Sequence, residues 1–183
     1  MAAAPLPHVR LRAWRDDDLE PFAAMNADPV VMEHFPRRLT PEESQAMLDR
    51  IRADLARRGW GLWAVDVDGA CAGFTGLAEP RFTAPFTPCV EIGWRLRREF
   101  WGRGIGLAAA RLAERHAFET LGLGELVSFT AAGNRRSRRL MERLGFMRDP
   151  RDDFLHPLLP EESPLRHHVL YRKSNPVSGA GAG

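Results

Sequence analysis

The stretch Glu91-Ile-Gly-Trp-Arg-Leu-Arg-Arg-Glu-Phe-Trp-Gly-Arg-Gly-Ile-Gly106 decides the fold prediction. Its start belongs to the segment from Val90 to Leu96, which is predicted to be a central strand, and the residues after it place an apolar stripe on a long helix. Between strand and helix, Gly102, Gly104 and Gly106 remove Cβ atoms at alternate positions, so a ligand can approach the main chain closely. The stretch therefore predicts a strand, a glycine-rich loop and a helix N-terminus that act as one unit.

The start of this helix is expected to bind an anion. The first amides of a helix have no intrahelical partner, and the helix dipole adds roughly half a positive charge at this end. A pyrophosphate group suits such a site. Arg103 in the loop, with the upstream arginines Arg95, Arg97 and Arg98, is placed to add charge-assisted hydrogen bonds.

Two other phosphate loops do not fit this stretch. A Walker loop needs a Lys-Ser/Thr pair, but Leu107-Ala108 follows Gly106. A dinucleotide fingerprint needs its third glycine where Leu107 stands, and it needs a parallel unit early in the chain. A plain turn is the remaining alternative for a glycine cluster taken by itself.

The rest of the chain predicts a single α/β or α+β domain with a mixed sheet. Further strands are expected at residues 9–13, 63–67, 71–77, 125–130, 146–148 and 168–172, and helices at 16–27, 40–59, 105–117 and 135–144. Thr40-Pro-Glu-Glu43 has the pattern of a helix start with a capping box. Asp68-Gly69 predicts a tight hairpin. Residues 1–173 form the predicted domain, and residues 174–183 are expected to be a disordered tail.

Composition narrows the class of protein. The chain has 183 residues, 44% hydrophobic and 27% charged, with a formal net charge of only +2. This charge gives no reason to expect a nucleic-acid partner, and no apolar run approaches the roughly 20 residues of a membrane span. Cys71 and Cys89 read as reduced core thiols, and no secretory signal is visible, so a cytoplasmic location is expected. A homodimer is left open.

A second motif lies near the C-terminal end of the predicted domain. Asn134-Arg-Arg-Ser137 is followed by Leu140-Met-Glu-Arg-Leu-Gly-Phe146. Together with Leu96, Gly104 and Gly106, this pattern resembles the GNAT superfamily of N-acetyltransferases over about residues 9–172. Trp101 stands where that family usually has Arg or Gln. In this respect the chain resembles the branch of ribosomal-protein N-terminal alanine acetyltransferases.

The resemblance implies a mostly antiparallel, twisted sheet of six or seven strands with splayed central strands, flanked by about four helices. It implies that acetyl-CoA lies between the 90–96 and 125–130 strands. Main-chain groups of Trp94, Arg95 and Leu96 would hold the pantetheine arm, and an amide near Trp94 would stabilise the oxyanion. The remaining cofactor-binding residues it implies are Trp101, Gly102, Arg103, Gly104, Ile105, Gly106, Leu107, Asn134 and Ser137.

The reaction needs a neutral amine, so a base or proton relay is expected near the thioester. Glu91 is the first candidate base, and a structural ion pair with an arginine is its alternative. Ser137 is the candidate proton donor to the leaving thiolate, or it only contacts the cofactor. Many relatives have a helix tyrosine where this chain has Met141, and the only tyrosine is Tyr171. The resemblance therefore leaves the usual tyrosine acid in doubt.

Several other polar and aromatic residues have two alternative interpretations. His156, His167 and His168 either anchor the substrate or act as a base, or they belong to loop and strand surface. Trp60, Trp63 and Phe82 are candidates for the acceptor pocket or for the core. His, Cys and Asp residues show no metal-ligand spacing, so no metal is expected.

Three classes of function follow. The first is an enzyme that transfers acetyl from acetyl-CoA to a primary amine, on a protein N-terminus or a small molecule, by direct attack in a ternary complex. The second is an acyl-CoA-binding regulatory module with little catalysis. The third is a plain nucleotide-binding protein. Acetyl-CoA turnover with a panel of amines separates the first two, and binding of ATP or NAD without CoA would favour the third.

Overall fold

The structure is a computed structural model that describes residues 8–176. The helices are α1 (Leu19–Ala27), α2 (Pro41–Arg58), α3 (Ile105–Arg115) and α4 (Arg135–Arg143), and α3 continues as a π-helical segment, His116–Thr120. The strands are β1 (Val9–Arg12), β2 (Leu62–Val67), β3 (Ala70–Ala78), β4 (Glu91–Leu96), β5 (Glu125–Ala131), β6 (Met147–Arg148), β7 (Phe154–Leu155) and β8 (His167–Ser174). Short 3-10 turns precede α1, α3 and β7.

Local sequence signals set several of these boundaries. Thr40 and Glu43 form the predicted capping box, with the Glu43 amide donating to Thr40 Oγ1 and the Thr40 amide donating to a Glu43 carboxylate oxygen. Gly59 ends α2 in the left-handed conformation at φ 74°. Asp68 and Gly69 both have positive φ and join β2 to β3 by the predicted hairpin.

The strands form one mixed sheet in the order β1-β2-β3-β4-β5-β8-β6, and β7 also pairs with β8. All of these pairs are antiparallel except β4 with β5. The predicted mixed, mostly antiparallel sheet with four helices is confirmed. The sheet has one strand more than predicted, because the two residues of β7 lie in a segment too short to show alternation.

The central strands separate after a single point of contact. Glu91 is opposite Val127, the Val127 amide donates to the Val90 carbonyl at 3.0 Å, and Ser128 Oγ donates to the Ile92 carbonyl at 2.8 Å. Within residues 8–176, Glu91 and Val127 form the one residue pair recorded between β4 and β5. The prediction of splayed central strands is therefore confirmed, and the opening lies beyond Gly93.

Helices cover both faces of the sheet. On one face, α1 and α2 pack with Phe22, Met25 and Leu48 against the strands. On the other face, α3 and α4 cover a second core that includes Ile92 and Leu126. Because side chains alternate along β4, Glu91, Gly93 and Arg95 face α1, whereas Ile92, Trp94 and Leu96 face α3 and α4.

The predicted tail boundary is wrong by two residues. Ser174 belongs to β8, where it is opposite Glu125, and Asn175 is buried. The Asn175 amide donates to the Gly124 carbonyl at 2.8 Å. The ladder continues to Ser174 because β5 supplies partners along its whole length. The rest of the predicted tail, residues 177–183, lies outside the described residues. Among the described helices, none is long and apolar enough to cross a membrane.

Candidate active site

A cavity of about 430 Å³ opens where β4 leaves β5. Its walls come from the end of β4, the glycine loop, the first turn of α3, the inner face of α4 and the segment between α1 and α2. Most of the predicted cofactor-binding residues line it: Trp94, Arg95, Leu96, Trp101, Gly102, Gly104, Ile105, Gly106, Leu107, Asn134 and Ser137. Arg103 and Glu91 lie outside these walls.

The glycine loop presents its main chain to open space. Gly102 and Gly104 have positive φ values of 71° and 76°, and a Cβ built on either would meet no atom within 4 Å. Gly104 is also the N-cap of α3. The loop therefore offers unobstructed backbone at a helix N-terminus, which is the geometry that accommodates a phosphate group.

The Trp101 side chain holds this loop against the end of β4. Its indole Nε1–H donates to the Leu96 carbonyl at 2.8 Å, and the Arg136 guanidinium lies 4.1 Å from the centre of its ring. The family's usual Arg or Gln at this position also carries an N–H donor. The indole therefore supplies a side-chain donor at the position where the sequence departs from the family pattern.

The second motif supplies the opposite wall. Asn134 caps α4, accepting from the Ser137 amide through Oδ1 at 3.2 Å, and its Nδ2 donates to Thr130 Oγ1 at 3.0 Å. Trp94 Nε1–H donates to Ser137 Oγ at 3.0 Å. The side chains of Trp94 and Ser137 thus connect β4 to α4 across the splay.

The structure corrects the expected role of the upstream arginines. The buried Arg95 guanidinium turns toward α1, donates from Nη1 to Asn26 Oδ1 at 2.6 Å and lies 4.0 Å from the ring centre of Phe35. Burial lowers its pKa to about 10. Arg97 donates to the Cys71 carbonyl and pairs with Glu99. Strand alternation sends both side chains away from the glycine loop, and Arg98 and Arg103 are exposed.

The cavity also has walls that the sequence did not reveal. Residues of the α1–α2 segment and of α4 complete it: Val30, Val31, His34, Phe35, Arg136, Arg139, Leu140 and Arg143. Glu33 pairs with Arg136 at 3.2 Å and links the two walls. The α4 residues share one helical face, a spacing visible in the sequence. The α1–α2 segment carries no comparable signal, because only tertiary packing brings it here.

Glu91 lies on the α1 side of β4, at the closed end of the splay. Within the described chain it forms neither an ion pair nor a hydrogen bond through its carboxylate, so the structural ion pair is not observed. Its Oε1 lies 3.7 Å from the place where a Cβ on Gly93 would be. Burial raises the pKa of the Glu91 carboxyl to about 8. Because the Glu91 carboxyl has no partner among the described residues and the neighbouring Gly93 has no side chain, a ligand can contact this carboxyl.

Neither Met141, which stands at the usual tyrosine position, nor Tyr171 provides an acid at the cavity. Met141 is buried in the main core, and Tyr171 is buried beside it. The Tyr171 hydroxyl donates to Glu142 Oε1 at 2.9 Å and lies outside the cavity walls. Tyr171 therefore does not replace the missing helix tyrosine.

The remaining candidates separate into distinct places. His156 and His168 lie within an aromatic group on the α1 side of β5 and β8, with Phe82, whereas His167 is exposed. Trp63 packs edge-on against His116, with ring centres 5.1 Å apart. Trp60 lies under Arg58 in the wall of a second cavity, between α2 and the β2–β3 strands. Of Trp60, Trp63 and Phe82, it is Phe82 that lies beside the candidate histidine His156.

Fold and site together have the layout of an acetyltransferase-type domain. A model of the Acetyltransferase (GNAT) domain matches residues 8–147, and the chain belongs to that family. The predicted family is therefore confirmed. Acetyltransferases of this family use acetyl-CoA as the acetyl donor.

Individual relatives agree with this family. The chain is 33% identical to an FsC-acetyl coenzyme A-N(2)-transacetylase of Aspergillus fumigatus over 128 residues, which are 66% of this chain and 54% of that protein. It is 42% identical over 59 residues, 32% of each chain, to YdaF of Bacillus subtilis, a candidate ribosomal N-acetyltransferase. The chain thus spans about half of the first relative and a third of the second. The second match is consistent with the predicted branch.

Solved structures show the same fold. An acetyltransferase from Agrobacterium tumefaciens superposes with a TM-score of 0.70 at 26% identity, covering 94% of this chain and 96% of that chain. The likeness includes nearly the whole described chain, so the arrangement of strands and helices around the splay is that of the family.

Proposed function

We propose that this protein is an N-acetyltransferase that transfers acetyl from acetyl-CoA to a primary amine, by direct attack in a ternary complex. The acceptor is a protein N-terminus or a small-molecule amine. One observation carries the proposal: a single cavity joins the open glycine loop to Ser137 at the splay. A ligand with a pyrophosphate at one end and a reactive thioester at the other fits that layout.

The donor site is assembled from main chain and α4. Amides of residues 102–107 hold the pyrophosphate, and main-chain groups of residues 94–96 hold the pantetheine arm. Trp101 keeps the loop in place, and Asn134 keeps Ser137 in place. Arg139 and Arg143 are exposed, line the same cavity and form no ion pair within residues 8–176. They are available to a phosphate of the nucleotide.

Glu91 acts as the general base that accepts the proton lost by the amine. A carboxyl with a pKa near 8 is close to the working pH, where a general base combines adequate ionisation with adequate proton affinity. It faces the side of the sheet opposite α3 and α4, so an acceptor reaches it from the α1 side. Glu91 thus accepts the proton as the amine nitrogen attacks the thioester carbonyl.

Ser137 handles the leaving group. Its oxygen already accepts from the Trp94 indole, so its own hydrogen is left to point elsewhere. A hydroxyl that accepts one hydrogen bond is a better donor in the next one. Ser137 donates its proton to the sulfur as the carbon–sulfur bond breaks; solvent then returns a proton to Ser137, and Glu91 releases to solvent the proton it took from the amine. An amide near Trp94 stabilises the oxyanion, an effect worth several kcal/mol in acyl transfer.

The regulatory-module alternative has one observation in its favour. Met141 fills the tyrosine position and is buried, so the usual acid is missing. Such a module would bind acetyl-CoA without passing the acetyl group on.

Steady-state turnover tests the proposal. Purified protein is mixed with acetyl-CoA and a panel of amines, thiol release is recorded, and CoA, ATP and NAD binding are measured by calorimetry. Amine-dependent thiol release supports the enzyme. CoA binding without amine-dependent release across the panel supports the module. Binding of ATP or NAD without CoA overturns both.

A further inference from the structure

We infer that the acceptor side of the site is an aromatic wall that selects monoamines carrying an apolar, preferably aromatic, group close to the nitrogen. Six residues form this wall, which we call the phenylalanine–histidine cluster: Phe82, Phe86, Phe129, Phe154, His156 and His168. This inference rests on the proposed acetyltransferase function and narrows its substrate class.

Four separate segments build the cluster. Phe129 comes from β5 and His168 from β8, Phe154 and His156 come from β7 and the residue after it, and the other two come from the β3–β4 loop. Phe129 lies 5.7 Å from Phe82 and 5.5 Å from Phe154, centre to centre. The two histidine rings are 4.8 Å apart. These are contact distances, so the rings form a continuous surface.

The cluster stands beside the opening in the sheet. Val127 is opposite Glu91, and Phe129 comes two residues later on the same face of β5. On β4, Gly93 comes two residues after Glu91 and has no side chain. Beyond this level the strands separate, so Phe129 borders an opening whose other side is left free by Gly93. An amine at Glu91 would therefore place its carbon skeleton against Phe129.

The rings are only partly covered by the protein. All four phenylalanines of the cluster are half-buried, whereas the core phenylalanines Phe22 and Phe146 are 1% and 2% exposed. A partly exposed apolar surface beside a reactive centre is typical of a ligand-binding wall.

The charge around the cluster argues against polyamines. Asp152 and Asp153 directly precede Phe154, but Asp152 pairs with Arg172 at 2.7 Å and Asp153 pairs with Arg148. Burial lowers the pKa of both His156 and His168, which favours the neutral form of the two rings. A second ammonium group would lose its water here and would find Asp152 and Asp153 already paired, whereas an apolar group gains contact area.

Matched acceptors test the inference. With acetyl-CoA saturating, kcat/KM is measured for 2-phenylethylamine, for ethanolamine and for spermidine. Two short peptides that differ only in an N-terminal Phe or Ser separate a protein N-terminus from a free amine as the source of the apolar group. We expect kcat/KM for 2-phenylethylamine to exceed that for ethanolamine and for spermidine by on the order of tenfold to hundredfold, the range for burying one apolar group in a pocket. The peptide with N-terminal Phe should exceed the peptide with N-terminal Ser by a similar factor.

Variants connect the preference to the cluster. Phe82→Ala lies in a loop, so folding is expected to survive, and it should reduce the preference for 2-phenylethylamine severalfold through KM. Trp60→Ala removes an aromatic ring in the other cavity and serves as the matched control. Thermal unfolding checks that both variants fold, and Phe86→Ala replaces Phe82→Ala if needed. The KM for acetyl-CoA should not change in any of them.

The outcomes separate this inference from the proposed function. Transfer to ethanolamine or spermidine that equals or exceeds transfer to 2-phenylethylamine overturns the aromatic wall and leaves the acetyltransferase intact. An apolar preference that Phe82→Ala and Phe86→Ala leave unchanged also overturns it. Transfer to no amine at all overturns the proposed function itself.

Discussion

Trp94 and Ser137, which are 43 residues apart in the chain, are joined by a hydrogen bond of 3.0 Å from the indole Nε1 to the hydroxyl oxygen. This bond spans the gap between β4 and α4 at the splay. The Ser137 oxygen accepts in it, so the hydroxyl proton is left for another partner. This arrangement suits the proposed role of Ser137 as proton donor to the leaving thiolate.

Ser137→Ala should lower kcat by roughly tenfold to hundredfold and leave the KM for acetyl-CoA almost unchanged, because a proton donor acts on the leaving thiolate. Steady-state kinetics with varied acetyl-CoA measure both constants. Ser137→Thr keeps the hydroxyl and should recover much of the rate. A raised KM with unchanged kcat in Ser137→Ala would instead assign Ser137 to cofactor contact alone.

Glu91→Gln should slow acetyl transfer in a pH-dependent manner. A base must be ionised, so the Glu91 contribution should be small well below pH 8 and should grow until the pH passes about 8. The ratio of wild-type to Glu91→Gln kcat/KM is the measurement, since ionisation of the free amine affects both proteins equally and cancels. We expect the ratio to rise with pH and then level off.

A constant ratio would contradict this role for Glu91. Acetyl-CoA affinity, measured by calorimetry at each pH, is the control for the same variant. It should match the wild type throughout, because Glu91 lies outside the walls of the donor cavity.

Gly104→Asp should abolish CoA binding, because the new carboxylate would stand in the open space where the pyrophosphate is proposed to lie. Gly122→Asp is a matched control: Gly122 also has positive φ, at 65°, and open space at its Cβ, but it lies in the α3–β5 loop. Both variants should lose about 1 kcal/mol of stability from the left-handed backbone. Calorimetry should show normal CoA binding for Gly122→Asp and none for Gly104→Asp; equal binding by both would remove the loop from the site.

The double variant Arg139→Gln/Arg143→Gln should weaken binding of CoA by roughly tenfold, as expected for lost charge-assisted bonds to phosphate. Dephospho-CoA, which lacks the 3′-phosphate, should bind the variant and the wild type alike. Arg135→Gln is the control, because Arg135 is exposed on the same helix but lies outside the cavity walls. Equal losses for both ligands would assign these arginines to the pyrophosphate instead.

Local signals in the sequence predicted the elements whose causes are local. The Thr40–Glu43 box began α2, the Asp68-Gly69 pair formed the hairpin turn, and the helix predicted from residue 135 is α4. The two motifs indicated the family, because glycines at a helix N-terminus and an Asn-x-x-Ser start each depend on a few adjacent residues. Most of the β4, glycine-loop and α3 walls of the cavity were predicted in this way, but on the α4 side only Asn134 and Ser137 were.

Other features depend on residues far apart in the chain. The sequence placed Arg95 and Arg97 with the phosphate loop, but strand alternation and packing against α1 turned their side chains elsewhere. The sequence also gave no sign that Val30, Val31 and Phe35 close the cavity, because an irregular segment acquires its position from what it packs against.

The sequence by itself determined the family, the mixed sheet, the glycine loop and the Asn134–Ser137 helix start, since these depend on local conformation and spacing. Only the tertiary structure decided that Glu91 stands beside Gly93 without a partner among residues 8–176, that Trp94 donates a hydrogen bond to Ser137, and that four phenylalanines and two histidines meet on one face. The physical reason is that ligand walls and proton donors are made by contacts between distant segments. Such contacts arise from packing, which no short stretch of sequence encodes.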